Sequence, residues 1–148
     1  MDRGRAQVYA AELAAFDGTE LEAVVPIDTL VSLASRVTSG PWWSGPSVTV
    51  RASRSDARSS TTRSREGSAE VRIASAQRTP ATLVHELAHA LAGSGAGHGP
   101  RYRRAHVDVA VVAFDAERAG WLEVAYVDHG LPIGARTWPE PPAAAFAL

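Results

Sequence analysis

The chain of 148 residues contains no cysteine, which excludes disulfides, thiol nucleophiles and cysteine-ligated zinc ribbons together. Lysine and asparagine are also absent, and all 15 basic residues are arginine. The codons of both missing residues are rich in A and T, so this absence describes base composition rather than mechanism. The single methionine is Met1, which removes the Met-turn of the metzincin peptidases. No apolar run reaches the roughly 18 residues that a membrane span needs. The opening Met1-Asp2-Arg3-Gly4-Arg5 has no apolar signal core, so the expectation is a soluble, cytoplasmic protein with no membrane partner. A net charge of -1 gives the chain as a whole no attraction to polyanions.

What is present suits one domain with a real core. The periodicity predicts helices over 5–16 and 27–37, the second with Ile27, Leu30, Val31, Leu33 and Val37 at helical spacing behind Pro26. The turn-rich run Gly40-Pro41-Trp42-Trp43-Ser44-Gly45-Pro46 interrupts the chain. Alternation predicts strands over 47–52 and 69–74. Between them, 53–67 is rich in Ser, Thr and Arg and reads as a long hairpin loop, an irregular edge or a disordered tongue. Thr79-Pro80 is a strong helix start, and Gly93-Ser94-Gly95-Ala96-Gly97 ends that helix. A further helix should begin at Gly99-Pro100 and run to about Glu117. From Gly120 the run Trp121 to Val127 reads as strand or helix. The domain is expected to span 1–137, with a Pro- and Ala-rich tail over 138–148.

The chemistry is announced inside the Thr79-capped helix by His85-Glu86-Leu87-Ala88-His89. Two imidazoles one turn apart on one helix face suit one tetrahedral metal ion, and Zn2+ is the expected cofactor, one per chain. Glu86 between them is placed to act as general base toward a water molecule. The metzincin spacing fails, because it would need histidine at Gly95 and glycine at Ala92. The third ligand is therefore His98, across the glycine-rich turn, or alternatively Asp108. Glu117 is too far along its helix. An oxyanion donor is sought among Tyr102, Tyr126, His129 and Arg101, with Tyr102 and His129 entered as catalytic candidates beside Glu86. The bland alternatives are core packing for Tyr102, an exposed turn for His129 and a helix-surface position for His106.

His85-Glu86-x-x-His89 followed by His98-Gly99-Pro100-x-Tyr102 resembles the SprT-like zincins, which pair such a motif with a downstream histidine-glycine-aromatic element. A group of small actinobacterial metallohydrolases is similar over more of the chain, including Val8 to Glu12, His98 to Asp108 and Trp121-Leu122-x-Val124-Ala125-Tyr126. The resemblance implies an α+β, minimal-zincin-like domain: a small, mostly antiparallel sheet packed on the motif helix and flanking helices. It also implies His85, His89 and His98 as ligands and a metallopeptidase acting on a peptide or protein substrate. The cysteine-rich ribbon that many SprT-like proteases carry is missing here.

The Arg-rich segment 51–66 holds Arg51, Arg54, Arg58, Arg63 and Arg65 against Asp56 and Glu66, and Arg101, Arg103 and Arg104 form a second basic cluster. The alternative function is a non-catalytic zincin scaffold, or a DNA-associated protease, contacting nucleic-acid backbone through that loop. Without interleaved aromatics, a solvated loop is the simpler reading. Trp42-Trp43 is read as a core anchor rather than a groove lining.

Overall fold

The computed structural model describes residues 4–54, 58–64 and 66–142. The alanine-rich start forms α1 (Arg5–Phe16), which buries Val8, Ala11 and Phe16. Pro26, with φ near -59°, leads into α2 (Ile27–Thr38), whose Leu30, Ala34 and Val37 make an inward stripe. Trp42 is buried and donates its indole N–H to the Val37 carbonyl, while Trp43 donates to the Pro46 carbonyl. Both tryptophans therefore anchor the turn. Gly45 is required there, because a Cβ would lie 2.8 Å from the Trp43 ring.

The sheet has three strands, β1 (Ser47–Ala52), β2 (Ser60–Arg63) and β3 (Ser68–Ile73), in the order β1-β3-β2. It is mixed rather than mostly antiparallel. The hairpin joins β2 to β3, turning at Gly67 with φ +81°, and β1 lies on the other side of β3 as its parallel neighbour. Of the three readings of the polar segment 53–67, the edge is the one that matches, since Ser60–Arg63 supply an edge strand. Its Ser and Thr side chains suit one that borders a cleft. On β3, Ala69, Val71 and Ile73 alternate inward and are buried.

α3 (Pro80–Ala92) is the centre of the molecule, between β2 and β3 on one side and α4 (Pro100–Ala113) on the other. Thr79 caps it by accepting from the Thr82 N–H at 3.1 Å. Ten of its thirteen residues are buried, as expected of a helix covered all round. α4 stops at Ala113, short of the expected Glu117, because the Asp115 carboxylate accepts from the Arg118 N–H at 2.7 Å and opens α5 (Ala116–Asp128). Arg36 then donates to the Val112 and Ala113 carbonyls at the end of α4, a favourable place for a cation. The Trp121 to Val127 run is helical, packed with α4 and α1.

The segment after α5 returns across α4. Trp138, placed by sequence at the head of a tail, is buried and donates its indole N–H to Asp108 at 2.9 Å. Residues 143–148 of that expected tail lie outside the described residues. Among the described residues, no helix is long and apolar enough to cross a membrane.

Candidate metal centre

His85 and His89 sit one turn apart on α3 and face the same side of it. Gly93, with φ +97°, takes the chain out of the helix, and Gly97, with φ +53°, turns it back toward the entry of α4. That return places His98 against both. The Nε2 atom of His98 lies 3.2 Å from Nε2 of His89 and 3.3 Å from Nε2 of His85. A tetrahedral ion with bonds of 2.0–2.1 Å separates its ligand nitrogens by about 3.3 Å, so the spacing fits zinc. Three neutral imidazoles aiming lone pairs at one point would repel one another, and a cation between them resolves that repulsion. His85, His89 and His98 are thus one of two groups among the described residues able to hold a metal ion.

The far side of His85 is equally ordered. Its Nδ1–H donates to Oε1 of Glu12 at 2.5 Å, which leaves Nε2 bare and directed at the ion position. Burial opposes protonation of this imidazole, but the charge and hydrogen bond of Glu12 outweigh it and raise the pKa. The same Oε1 lies 3.2 Å from Nε2 of His106. That contact is too far off-line for a straight hydrogen bond, and Nε2 of His106 has no other hydrogen-bond partner. His106 is fully buried, not on the helix surface. Burial, then the neighbouring His85, His89 and His98, hold its pKa well below 6.5. Its Nδ1 meets the Tyr126 hydroxyl at 2.5 Å. Glu12, His85 and His106 are the second group close enough to hold an ion.

Glu86 is buried beside the imidazoles, and its Oε1 accepts from the Thr61 hydroxyl of β2 at 2.7 Å. Burial raises its pKa above the ordinary carboxylate value, against the opposing effects of His85 and Thr61. Such a carboxylate accepts a proton more readily than an exposed one. The site opens onto two adjoining cavities of about 730 and 400 Å3, both lined by Arg5, Tyr9, Ser59, His85 and Glu86. The Tyr9 ring stacks on His85, with centroids 5.2 Å apart and planes within 10°. Burial raises the Tyr9 pKa against the opposing effect of Arg5, so its hydroxyl stays protonated.

The remaining sequence candidates are placed as follows. Tyr102 is at the site but beneath it. Its ring packs 4.4–5.5 Å from the rings of the three histidines, and its hydroxyl donates to the His85 carbonyl. The side chain is completely buried and supports the ligands rather than facing substrate. Asp108, the alternative third ligand, is withdrawn. It is engaged by Arg136 at 2.8 and 3.1 Å and by Trp138, and belongs to neither metal group. His129 is exposed at the end of α5 with Nδ1 on the Ala125 carbonyl, and it lines neither cavity. Glu117 is exposed on α5. Arg101 donates to the Ala92 carbonyl and Thr137, and Tyr126 faces His106. The oxyanion candidates named from sequence are therefore engaged elsewhere.

Arg51, Arg54, Arg58 and Arg63 of the first basic cluster are exposed, whereas the guanidinium groups of the second are tied to the fold. Arg101, Arg103 and Arg104 tie backbone carbonyls at Ala92, Pro132 and Gly134, and Arg51 pairs with Glu70. Arg63 donates to the Ala90 carbonyl at 2.6 Å. Arg65 and Asp56 lie outside the described residues. The sequence alone assigned no role to Glu12, Tyr9 or Thr61, read His106 as a helix-surface residue and offered Tyr126 only as an oxyanion donor. A signal existed for one of them: His98, Tyr102 and His106 recur every four residues, on one face of α4 and its entry. Comparison with protein-family models, curated proteins and solved structures returned no match for this chain.

Proposed function

We propose that this protein is a zinc-dependent hydrolase cleaving a peptide or related amide bond. The observation that carries the reading is the convergence of three Nε2 atoms, 3.2 and 3.3 Å apart, beside a buried carboxylate at the floor of an open cleft. A structural metal site needs neither the carboxylate nor the cleft. His85, His89 and His98 would hold the ion. When bound, zinc supplies Lewis-acid polarisation of a carbonyl and makes a water molecule acidic near neutral pH.

The chain's own groups then divide the proton work. Thr61 holds Oε1 of Glu86, which leaves Oε2 to take the proton of the attacking water and return it to the leaving amine. Tyr9, protonated and stacked on His85 at the cleft, is the donor assigned in this reading to negative charge developing on the carbonyl oxygen. Tyr102 and Glu12 keep the imidazoles in place from below and behind.

The test uses zinc-loaded protein on a defined peptide library read by mass spectrometry. Glu86→Gln should retain zinc and lose cleavage by about 10²–10⁴-fold, the usual contribution of a positioned base. A variant that binds zinc and cleaves like the wild type would remove Glu86 from the mechanism.

A further inference from the structure

Behind the candidate ligand His85 lies a chain of buried polar groups that a zinc site of three imidazoles does not itself require. It runs from the Tyr126 hydroxyl on α5 to Nδ1 of His106 on α4 at 2.5 Å. It continues from Nε2 of His106, which faces Oε1 of Glu12 on α1 at 3.2 Å but off the hydrogen-bond line, to the 2.5 Å hydrogen bond between that oxygen and Nδ1 of His85 on α3. Four helices each contribute one member. Tyr126 and His106 are completely buried, so each polar atom that lacked a partner would be costly.

We propose that His106 and Tyr126 are a positioning pair that sets the orientation and tautomer of the zinc ligand His85 by acting through Glu12. This inference rests on the zinc reading above and extends it to residues that touch neither substrate nor metal. The direction of each bond follows from the ends. Nε2 of His106 faces a carboxylate oxygen, where a lone pair would meet a lone pair, so it carries the ring proton. Nδ1 is then an acceptor, and Tyr126 must be the donor. A His106 fixed this way turns the positive N–H edge of its ring toward Oε1 of Glu12, an off-line electrostatic contact that favours that oxygen's place against Nδ1 of His85. His85 in turn is held as the Nδ1–H tautomer, with Nε2 free for the ion.

The alternative use of these groups is a second ion held by Glu12, His85 and His106, whose ligand atoms lie within 4.8 Å of one another. Two ligands on one ion stand about 3 Å apart or more. The 2.5 Å contact between Glu12 and His85 is shorter than that and is a hydrogen bond.

Three variants separate positioning from packing. Tyr126→Phe keeps the ring and removes the hydroxyl. His106→Leu keeps volume and removes both nitrogens. His106→Gln can still present an N–H to Glu12. Zinc affinity is measured by competition with a chromophoric chelator, the cobalt-substituted site by its visible absorption, and apo stability by thermal unfolding. Tyr126→Phe and His106→Leu should bind zinc about 10–100-fold more weakly, the usual loss when support behind a ligand is removed. Their cobalt spectra should shift, and His106→Gln should stay within a few-fold of wild type. Wild-type affinity in both Tyr126→Phe and His106→Leu, or a His106→Gln no better than His106→Leu, overturns the pairing. Histidine nitrogen NMR on the zinc-free protein supplies a readout independent of metal. At alkaline pH, where His85 is neutral, it should show His106 protonated on Nε2 and His85 on Nδ1, and a His106 proton on Nδ1 overturns the proposal. A wild type that binds no zinc defeats the functional reading, while the tautomers still decide the pair.

Discussion

His106 is the residue whose surroundings most change its chemistry. Complete burial, with His85, His89 and His98 nearby, keeps its imidazole neutral well below 6.5. In the unfolded chain it takes a proton near 6.5. A folded-state pKa depressed in this way contributes stability that is fully present above 6.5 and is lost as the pH falls below it toward the folded value. The stability difference between wild type and His106→Gln, which cannot titrate, should therefore move against the wild type from neutral to mildly acid pH. Urea unfolding at both conditions measures it, and a difference independent of pH would show that the imidazole does not titrate on unfolding. His85, His89 and Glu86 were readable from sequence because their spacing is a helical one, and His98 because glycines flank it. Glu12 and Tyr126 were not, because their meeting depends on how α1 and α5 pack, which local spacing does not encode.

At the level of elements, caps decided what periodicity could not. Thr79-Pro80 marked the start of α3 in sequence as in structure, since both the side-chain acceptor and the proline act locally. The run from Pro100 onward read as one helix to about Glu117. Its break at Asp115 rests on a side chain that accepts from the Arg118 N–H and pairs with the Arg118 guanidinium. Asp115→Ala removes both and should lower stability by about 1–2 kcal/mol, read as a reduced urea midpoint with little change in zinc affinity. An unchanged midpoint would mean that α5 starts without its cap. The sheet was legible only in part. The alternation marked β1 and β3, whereas the four residues of β2 are polar and carry no such signal. The pairing order and the parallel sense of β1 on β3 are long-range features that local alternation does not encode.

Across the whole molecule, the α+β class followed from the mixture of helical and alternating segments, whereas the burial of Trp138 did not. The run 138–148 reads as a Pro- and Ala-rich tail, yet its first residue, Trp138, is buried on Asp108, and the preceding run 129–137 is fastened along α4 by Arg103, Arg104 and Arg136. Asp108, taken from sequence as a possible ligand, is the anchor for that return. Trp138→Ala should cost about 3–5 kcal/mol through lost burial, with loss of the indole donor to the nearly inaccessible Asp108 adding to it. Thermal unfolding measures it, and a change below about 1 kcal/mol would place Trp138 outside the cooperative unit. The central claim concerns the site that these helices enclose. Zinc K-edge X-ray absorption on the purified protein, with metal content measured on the same sample, tests it most directly. About one zinc per chain, surrounded by three imidazole nitrogens at roughly 2.0–2.1 Å, is the predicted result. Absence of stoichiometric zinc, or a spectrum with fewer imidazoles that His98→Ala leaves unchanged, would contradict it.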